Sequence, residues 1–139
     1  MAIETKYKKI ITSGKRKRAV ARAVIIGGTG KVKIHNKDYN HLQMFDKLKI
    51  QEPLKIAEHV LGKIDFNVDI TVKGGGEKGQ IDAARTALAR AIVEFSKSQE
   101  LEKSFLEYDR NLLIADVRRK EAYKPGDSKA RAKRQSSKR

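Results

Sequence analysis

Between residues 66 and 73 the chain reads FNVDITVK, and apolar and polar side chains alternate without a break. Phe66, Val68, Ile70 and Val72 fall on one side, with Asn67, Asp69, Thr71 and Lys73 on the other, which predicts a half-buried β-strand. The run QIDAARTALARAIVEF then changes period. Ile81, Ala84, Leu88, Ile92 and Phe95 recur at helical spacing, predicting an amphipathic helix with Arg90 on the opposite face and Arg85 at the stripe's edge. Upstream, KRKRAVARAVII sets small and β-branched residues behind a basic cluster and predicts a strand over residues 17–26. GGTG and KVKIH follow, with Val32 and Ile34 alternating, which predicts a β-hairpin around a glycine turn. NKDYNHLQMFD predicts a short helical piece over 39–46. EPLKIAEHVLG predicts a better helix, with Pro53 at its first position, Gly62 just past its end, and Leu54, Ala57, Val60 and Leu61 on one face. A further helix near 99–108 gathers Leu101, Phe105 and Tyr108, and LLIADV predicts a last buried strand. The order β-β-α-α-β-α-α-β indicates an α+β fold, with helices packed on one face of a four-stranded sheet.

The patterning fails at both ends. Residues 1–14 read as a flexible basic leader, 15–117 as the globular domain, and 118–139 as an extended basic tail. Within KPGDSKARAKRQSSKR the only aliphatic side chains are Ala130 and Ala132. Ordering each residue costs about 1–2 kcal/mol of backbone entropy, and this segment buries no core in return.

Charge sharpens the division. The 139 residues carry a formal net charge of +15. Residues 118–139 contribute +8 of it and the rest of the chain +7. A field of that sign calls for a polyanion: nucleic acid or an anionic membrane surface. No apolar run approaches the ~20 residues of a membrane span, and MAIETKYKKII leads into no signal-peptide core. The chain contains no cysteine, so it has no disulfide framework and no zinc-finger ligand set, and a reducing cytoplasm is expected.

Candidate catalytic chemistry is sparse. His35, His41 and His59 show no metal-ligand spacing, Asp65 and Asp69 suit a solvated face, and nothing marks a nucleophile. No cofactor and no small-molecule substrate are expected. GGTGKV has the wrong spacing for a phosphate loop and precedes a strand. GGGEKGQID does lie between a strand and a helix, where backbone amides and the helix dipole favour an anion. The alternative there is a flexible connection in which glycine merely permits positive φ.

The basic clusters carry more. Lys15, Arg16, Lys17 and Arg18 cluster at the start of the first predicted strand, and Arg22 lies within it. Lys73, Lys78, Arg85 and Arg90 surround the glycine-rich turn of Gly74, Gly75, Gly76, Gly79 and Gln80. Arg118 and Arg119 open the tail, and Lys129, Arg131, Lys133 and Arg134 follow. With Tyr123 the tail's only aromatic, base stacking is minor, and reading of backbone and shape is favoured.

GGGEKGQIDAARTALARAI resembles the glycine-rich signature of the ninth protein of the ribosomal small subunit. SGKRKRAVARAVI, GTGKV and ARAKRQSSKR match that family too, and YDRNLLIADVR is similar to its archaeal and eukaryotic branch. The resemblance covers nearly the whole chain. It implies a fold like the second domain of the fifth small-subunit protein, with a left-handed β-α-β crossover. It implies a place in the small-subunit head, bound to ribosomal RNA beside neighbouring head proteins. It further implies that the tail threads through ribosomal RNA to peptidyl-site tRNA. Arg131, Lys133 and Arg134 would then line the path, and Lys138 and Arg139 would approach the anticodon stem-loop. The ending Ser136-Ser137-Lys138-Arg139 departs from relatives that carry an aromatic residue near the end, so the resemblance implies charged contacts there and no ring stacking. Two other classes compete: a DNA-compacting protein, and an enzyme, since the implied fold also hosts small-molecule kinases.

Overall fold

The computed structural model describes residues 9–135; the expectations for residues 1–8 and for Lys138 and Arg139 lie outside the described residues. Five strands form one mixed sheet in the order β1-β2-β5-β3-β4. They are β1 (Ile10–Arg16), β2 (Ala19–Gly27), β3 (Val32–Ile34), β4 (Lys37–Asp38) and β5 (Phe66–Lys73). The helices are α1 (Met44–Leu61), α2 (Glu77–Ser96) and α3 (Gln99–Tyr108), with 3₁₀ turns at Tyr39–His41 and Arg110–Leu112.

β5 behaves as its alternation requires. Phe66, Val68, Ile70 and Val72 are buried, and the opposite face of the strand is open. β2 matches it with Ala19, Ala21, Ala23 and Ile25 facing inward. These small residues let α2 lie directly on the sheet, and α2 in turn buries Ala83, Ala84, Ala87, Leu88, Ala91 and Ile92. α1 and α3 pack against α2, with Ile50, Leu54, Ala57, Leu101 and Phe105 completing the core. The architecture is α+β with the helices on one face of the sheet.

Several local expectations are corrected. β2 and β3 do not form a hairpin, because β5 lies between them, antiparallel to β2 and parallel to β3. The parallel pairing makes β3-α1-β5 a β-α-β unit. The glycine loop after β2 is held instead by Asn67, whose Oδ1 accepts hydrogen bonds from the Thr29 and Lys31 amides, each at 3.0 Å. The true hairpins are β1–β2 and β3–β4, the latter turning through His35 and Asn36 at φ 51° and 64°. The sheet has five strands, not four: β4 is added, and β1 takes residues 10–14 from the expected leader. LLIADV is not a strand but the end of a 3₁₀ turn and a segment without regular structure. The short helical piece at 39–46 and the helix starting at Pro53 become a 3₁₀ turn followed by one α1 that contains Pro53.

Gly14 shows how closely the layers meet. A Cβ there would stand 2.3 Å from the Ala83 carbonyl oxygen and 2.6 Å from the Ala87 nitrogen. β1 therefore touches α2 backbone to backbone, and the Thr12 hydroxyl donates to the Ala87 carbonyl at 2.9 Å.

Candidate nucleic-acid interface

The β1–β2 hairpin turns through Lys17 and Arg18, with Lys17 at φ 54°. Lys15, Lys17 and Arg18 are exposed around it. Because β2 pairs with β5, Val20 lies opposite Lys73, and the chain leaving β5 reaches the same corner. It turns there through Gly74 at φ 77° and Gly75 at φ 67°. A Cβ on Gly74 would stand 2.7 Å from the Arg18 carbonyl oxygen, and one on Gly75 would stand 3.0 Å from Ala19. Both positions need glycine for conformation and for approach. Gln80 closes the turn, its Nε2 donating to the Gly74 carbonyl at 3.1 Å.

Gly76 differs. It is the N-cap of α2, at φ −98°, and a Cβ there would meet nothing within 4 Å. No side chain caps the helix, so its first-turn amides are left to an outside acceptor and carry the positive end of the helix dipole.

These parts enclose a groove of about 1050 Å³. Lys15, Arg16, Lys17 and Arg18 form one wall, Gly75, Gly76, Lys78 and Gly79 another, and Arg119 and Lys120 close it. Among the described residues Glu77 is its only acid. Cations, free amides and a glycine surface that admits close approach are the groups that a phosphate backbone would require of a receptor. Lys120 was not among the residues singled out from the sequence, although it continues the Arg118-Arg119 run. Lys78 is shared with the fold: its Nζ is 3.0 Å from Asp46, a buried carboxylate.

Other predicted site residues are occupied by the body. Arg85 is clasped between Glu52 and Asp109, with both Nη atoms donating to Asp109 Oδ2 at 3.2 Å. Arg90 is half-buried; its Nε donates to the Leu113 carbonyl at 2.8 Å and its Nη1 to the Ser13 carbonyl at 2.9 Å. The expected outward face of α2 is thus covered by the segment after α3, and both arginines hold that segment. Arg16 joins them, donating to the Arg118 carbonyl at 3.1 Å and lying 3.6 Å from Asp116. Asp116 also accepts from the Arg118 side chain and amide, which holds its carboxyl well below the usual range, with Arg16 adding to the effect. The same pairing pushes the Arg118 guanidinium up.

Arg22 and Lys73 project from the uncovered sheet face, where they are exposed. Along the arm, Lys129, Arg131, Lys133 and Arg134 are all exposed. Its internal contacts are local: Arg131 to Glu121 at 2.8 Å, the Arg134 amide to Asp127 at 3.2 Å, and Lys120 over the Tyr123 ring at 4.6 Å. Among the described residues no group of acids and histidines comes together to hold a metal ion, and no helix is long and apolar enough to cross a membrane.

Comparison with known proteins gives this corner a context. The family model described as ribosomal protein S9/S16 matches residues 14–139. The chain is 47% identical over 133 residues to the small ribosomal subunit protein uS9 of Methanococcus vannielii, covering 94% of this chain and 98% of that protein. It is 51% identical over 130 residues to uS9 of Thermoplasma volcanium, covering 92% and 96%. It is 43% identical over 131 residues to uS9 of Methanothrix thermoacetophila, covering 94% and 98%. These relatives are archaeal, as the motif YDRNLLIADVR suggests. With the match spanning the hairpin, the glycine-rich turn and the basic arm alike, the chain belongs to the ribosomal protein S9/S16 family.

Proposed function

We propose that this chain is a structural constituent of the small ribosomal subunit in the cytoplasm, anchored in ribosomal RNA through the groove between its basic hairpin and its glycine-rich turn. The observation that carries the reading is the convergence of Lys15, Lys17, Arg18, Arg119 and Lys120 on an uncapped helix N-terminus. Three distant stretches of sequence supply those groups, and a solvated basic surface would not require them to meet. Arg22 and Lys73 extend the contact onto the open sheet face, and Lys129, Arg131, Lys133 and Arg134 extend it along the arm. Lys138 and Arg139 reach peptidyl-site tRNA. Neighbouring head proteins complete the setting. Membership in a ribosomal protein family decides against the kinase-like alternative.

Counterion release drives such binding, and each phosphate contact contributes about 0.7–0.9 to the slope of log affinity against log salt. The test is binding of the purified chain to the head region of small-subunit RNA across a salt series, with a DNA duplex of equal length as competitor. The expected result is preference for the RNA that survives at high salt. Equal affinity for the two at every salt concentration would favour general polyanion compaction instead.

A further inference from the structure

The segment between α3 and the arm has no regular structure, yet it is tied to the body at nearly every step. Asp109 is gripped by Arg85, and the Asn111 carbonyl accepts from the Thr86 hydroxyl at 3.4 Å. Leu112 is fully buried, and the Leu113 carbonyl accepts from Arg90. The last tie is a latch. The Asp116 carboxylate accepts from the Arg118 amide at 3.0 Å, from its Nε at 3.0 Å and from its Nη2 at 2.8 Å. Arg16 reaches over from β1, with one nitrogen on the Arg118 carbonyl at 3.1 Å and another 3.6 Å from Asp116. Both Arg16 and Asp116 are largely shielded, with side chains 16% and 15% exposed. Beyond Arg118, among the described residues, no hydrogen bond joins the arm to the body.

The position of the latch matters. The next two residues, Arg119 and Lys120, close the groove formed by the hairpin and the glycine-rich turn. An acid beside a phosphate-binding groove weakens attraction for phosphate. Its presence in so basic a chain calls for a compensating role, and the geometry supplies one.

We propose that Asp116 and Arg16 are positioning residues that fix the exit of the arm, holding Arg119 and Lys120 on the rim of the groove and aiming everything that follows. Arg16 is accordingly a tie within the protein and not a phosphate ligand. The proposal deepens the ribosomal RNA reading and rests on it for its functional meaning, but the latch itself is a property of the free protein.

The test has two arms. The chain has no native cysteine, so Glu102→Cys on α3 and Ala122→Cys on the arm accept a pair of spin labels without interference. The distance distribution is measured in the free protein for the parent, Asp116→Ala, Asp116→Glu and Arg16→Ala. A narrow distribution is expected in the parent, with broadening in Asp116→Ala and Arg16→Ala and partial recovery in Asp116→Glu. Circular dichroism and melting on the same samples confirm that the body is folded. Should Arg16→Ala unfold, Asp116→Ala decides alone, because among the described residues the Asp116 carboxylate pairs only with Arg16 and Arg118. An Asp116→Ala distribution equal to the parent's overturns the proposal.

The second arm is affinity for the head region of small-subunit RNA. Removing an acid raises the net charge, so simple electrostatics predicts tighter binding by Asp116→Ala. Loss of the latch predicts weaker binding, on the order of tenfold, because residues of the arm must then be ordered on binding. Tighter binding would overturn the positioning role. A parent that fails to bind this RNA would overturn the ribosomal reading and leave the distance measurement to decide the latch.

Discussion

The Arg90 guanidinium donates to the Ser13 carbonyl at 2.9 Å, joining the middle of α2 to an edge strand 77 residues earlier. Its Nε binds the Leu113 carbonyl at the same time. One side chain therefore holds three stretches of chain together, an arrangement that argues for a structural role. Arg90→Ala leaves two carbonyls without their charged donor and should cost about 2–3 kcal/mol of stability. Affinity for ribosomal RNA, measured well below the melting temperature, should change little. A large loss of affinity without a loss of stability would return Arg90 to the interface.

The glycine-rich turn separates structure from contact. Gly75→Ala places a Cβ 3.0 Å from Ala19 at a positive φ and should cost about 1–3 kcal/mol. Gly76→Ala meets open space at an ordinary φ and should cost less than about 1 kcal/mol. If phosphate approaches the first-turn amides of α2, that methyl group obstructs it, and affinity should fall several-fold. Chemical denaturation and RNA binding on both variants check the pair. Unchanged affinity in Gly76→Ala would show that nothing comes close to that backbone.

How far the sequence carried these conclusions depends on what each element presents locally. β5 and α2 were legible because each buries one regular stripe of apolar side chains. β1 was not, because its inward positions are Thr12 and Gly14: α2 approaches so closely that no large side chain fits there. Pro53 read as a helix start, since proline removes a hydrogen bond and clashes with the preceding turn. In α1 it is buried beside Ile50, Leu54 and Ala57, and that packing outweighs the local penalty. LLIADV read as a strand, but only Leu112 is fully buried, and the segment is held by side chains instead: Arg90 of α2 donates to the Leu113 carbonyl, and Arg16 of β1 lies beside the Asp116 carboxylate. The site was half legible for the same reason. A cluster of arginines announces charge, but nothing local says that Arg16, Arg85 and Arg90 are already paired while Lys120, over the Tyr123 ring, lines the rim without a carboxylate partner among the described residues.

Arg18 and Arg119 belong to the other class, exposed at the groove and without a carboxylate partner among the described residues. Arg18→Ala and Arg119→Ala should leave the melting temperature within a degree or two. Each should lower the salt slope of RNA binding by about 0.7–0.9 if it neutralises one phosphate. A salt series on each variant measures this directly, and a slope equal to the parent's removes that residue from the interface.

Acid should reveal the latch through Asp116. Arg118 hydrogen bonds, chiefly, hold its folded pKa below the unfolded value of about 3.9. A depressed carboxylate stabilises the fold above its unfolded pKa, and the contribution is lost as pH falls toward the folded value. The stability difference between parent and Asp116→Asn should therefore be constant from about pH 5 to pH 8 and shrink below about pH 4. Denaturant melts at several pH values check it. A difference that vanishes near neutrality would point to another titrating group.

The arm's last two residues carry the remaining prediction. Lys138 and Arg139 follow a stretch whose side chains cannot support a core, so replacing both with alanine should leave folding and incorporation into small subunits intact. Each charge-assisted contact to phosphate contributes roughly 1.5–3 kcal/mol before the cost of ordering the chain that makes it. That ordering, at about 1–2 kcal/mol per residue, offsets much of the gain. The net effect on peptidyl-site tRNA should therefore be modest, a few-fold weaker retention. The missing contribution is a phosphate contact, so the difference should be largest at low salt and shrink as salt rises. The measurement is tRNA binding to purified small subunits carrying the parent chain or the double variant, across a salt series. Equal retention at every salt concentration would overturn the role of these two charges in holding tRNA.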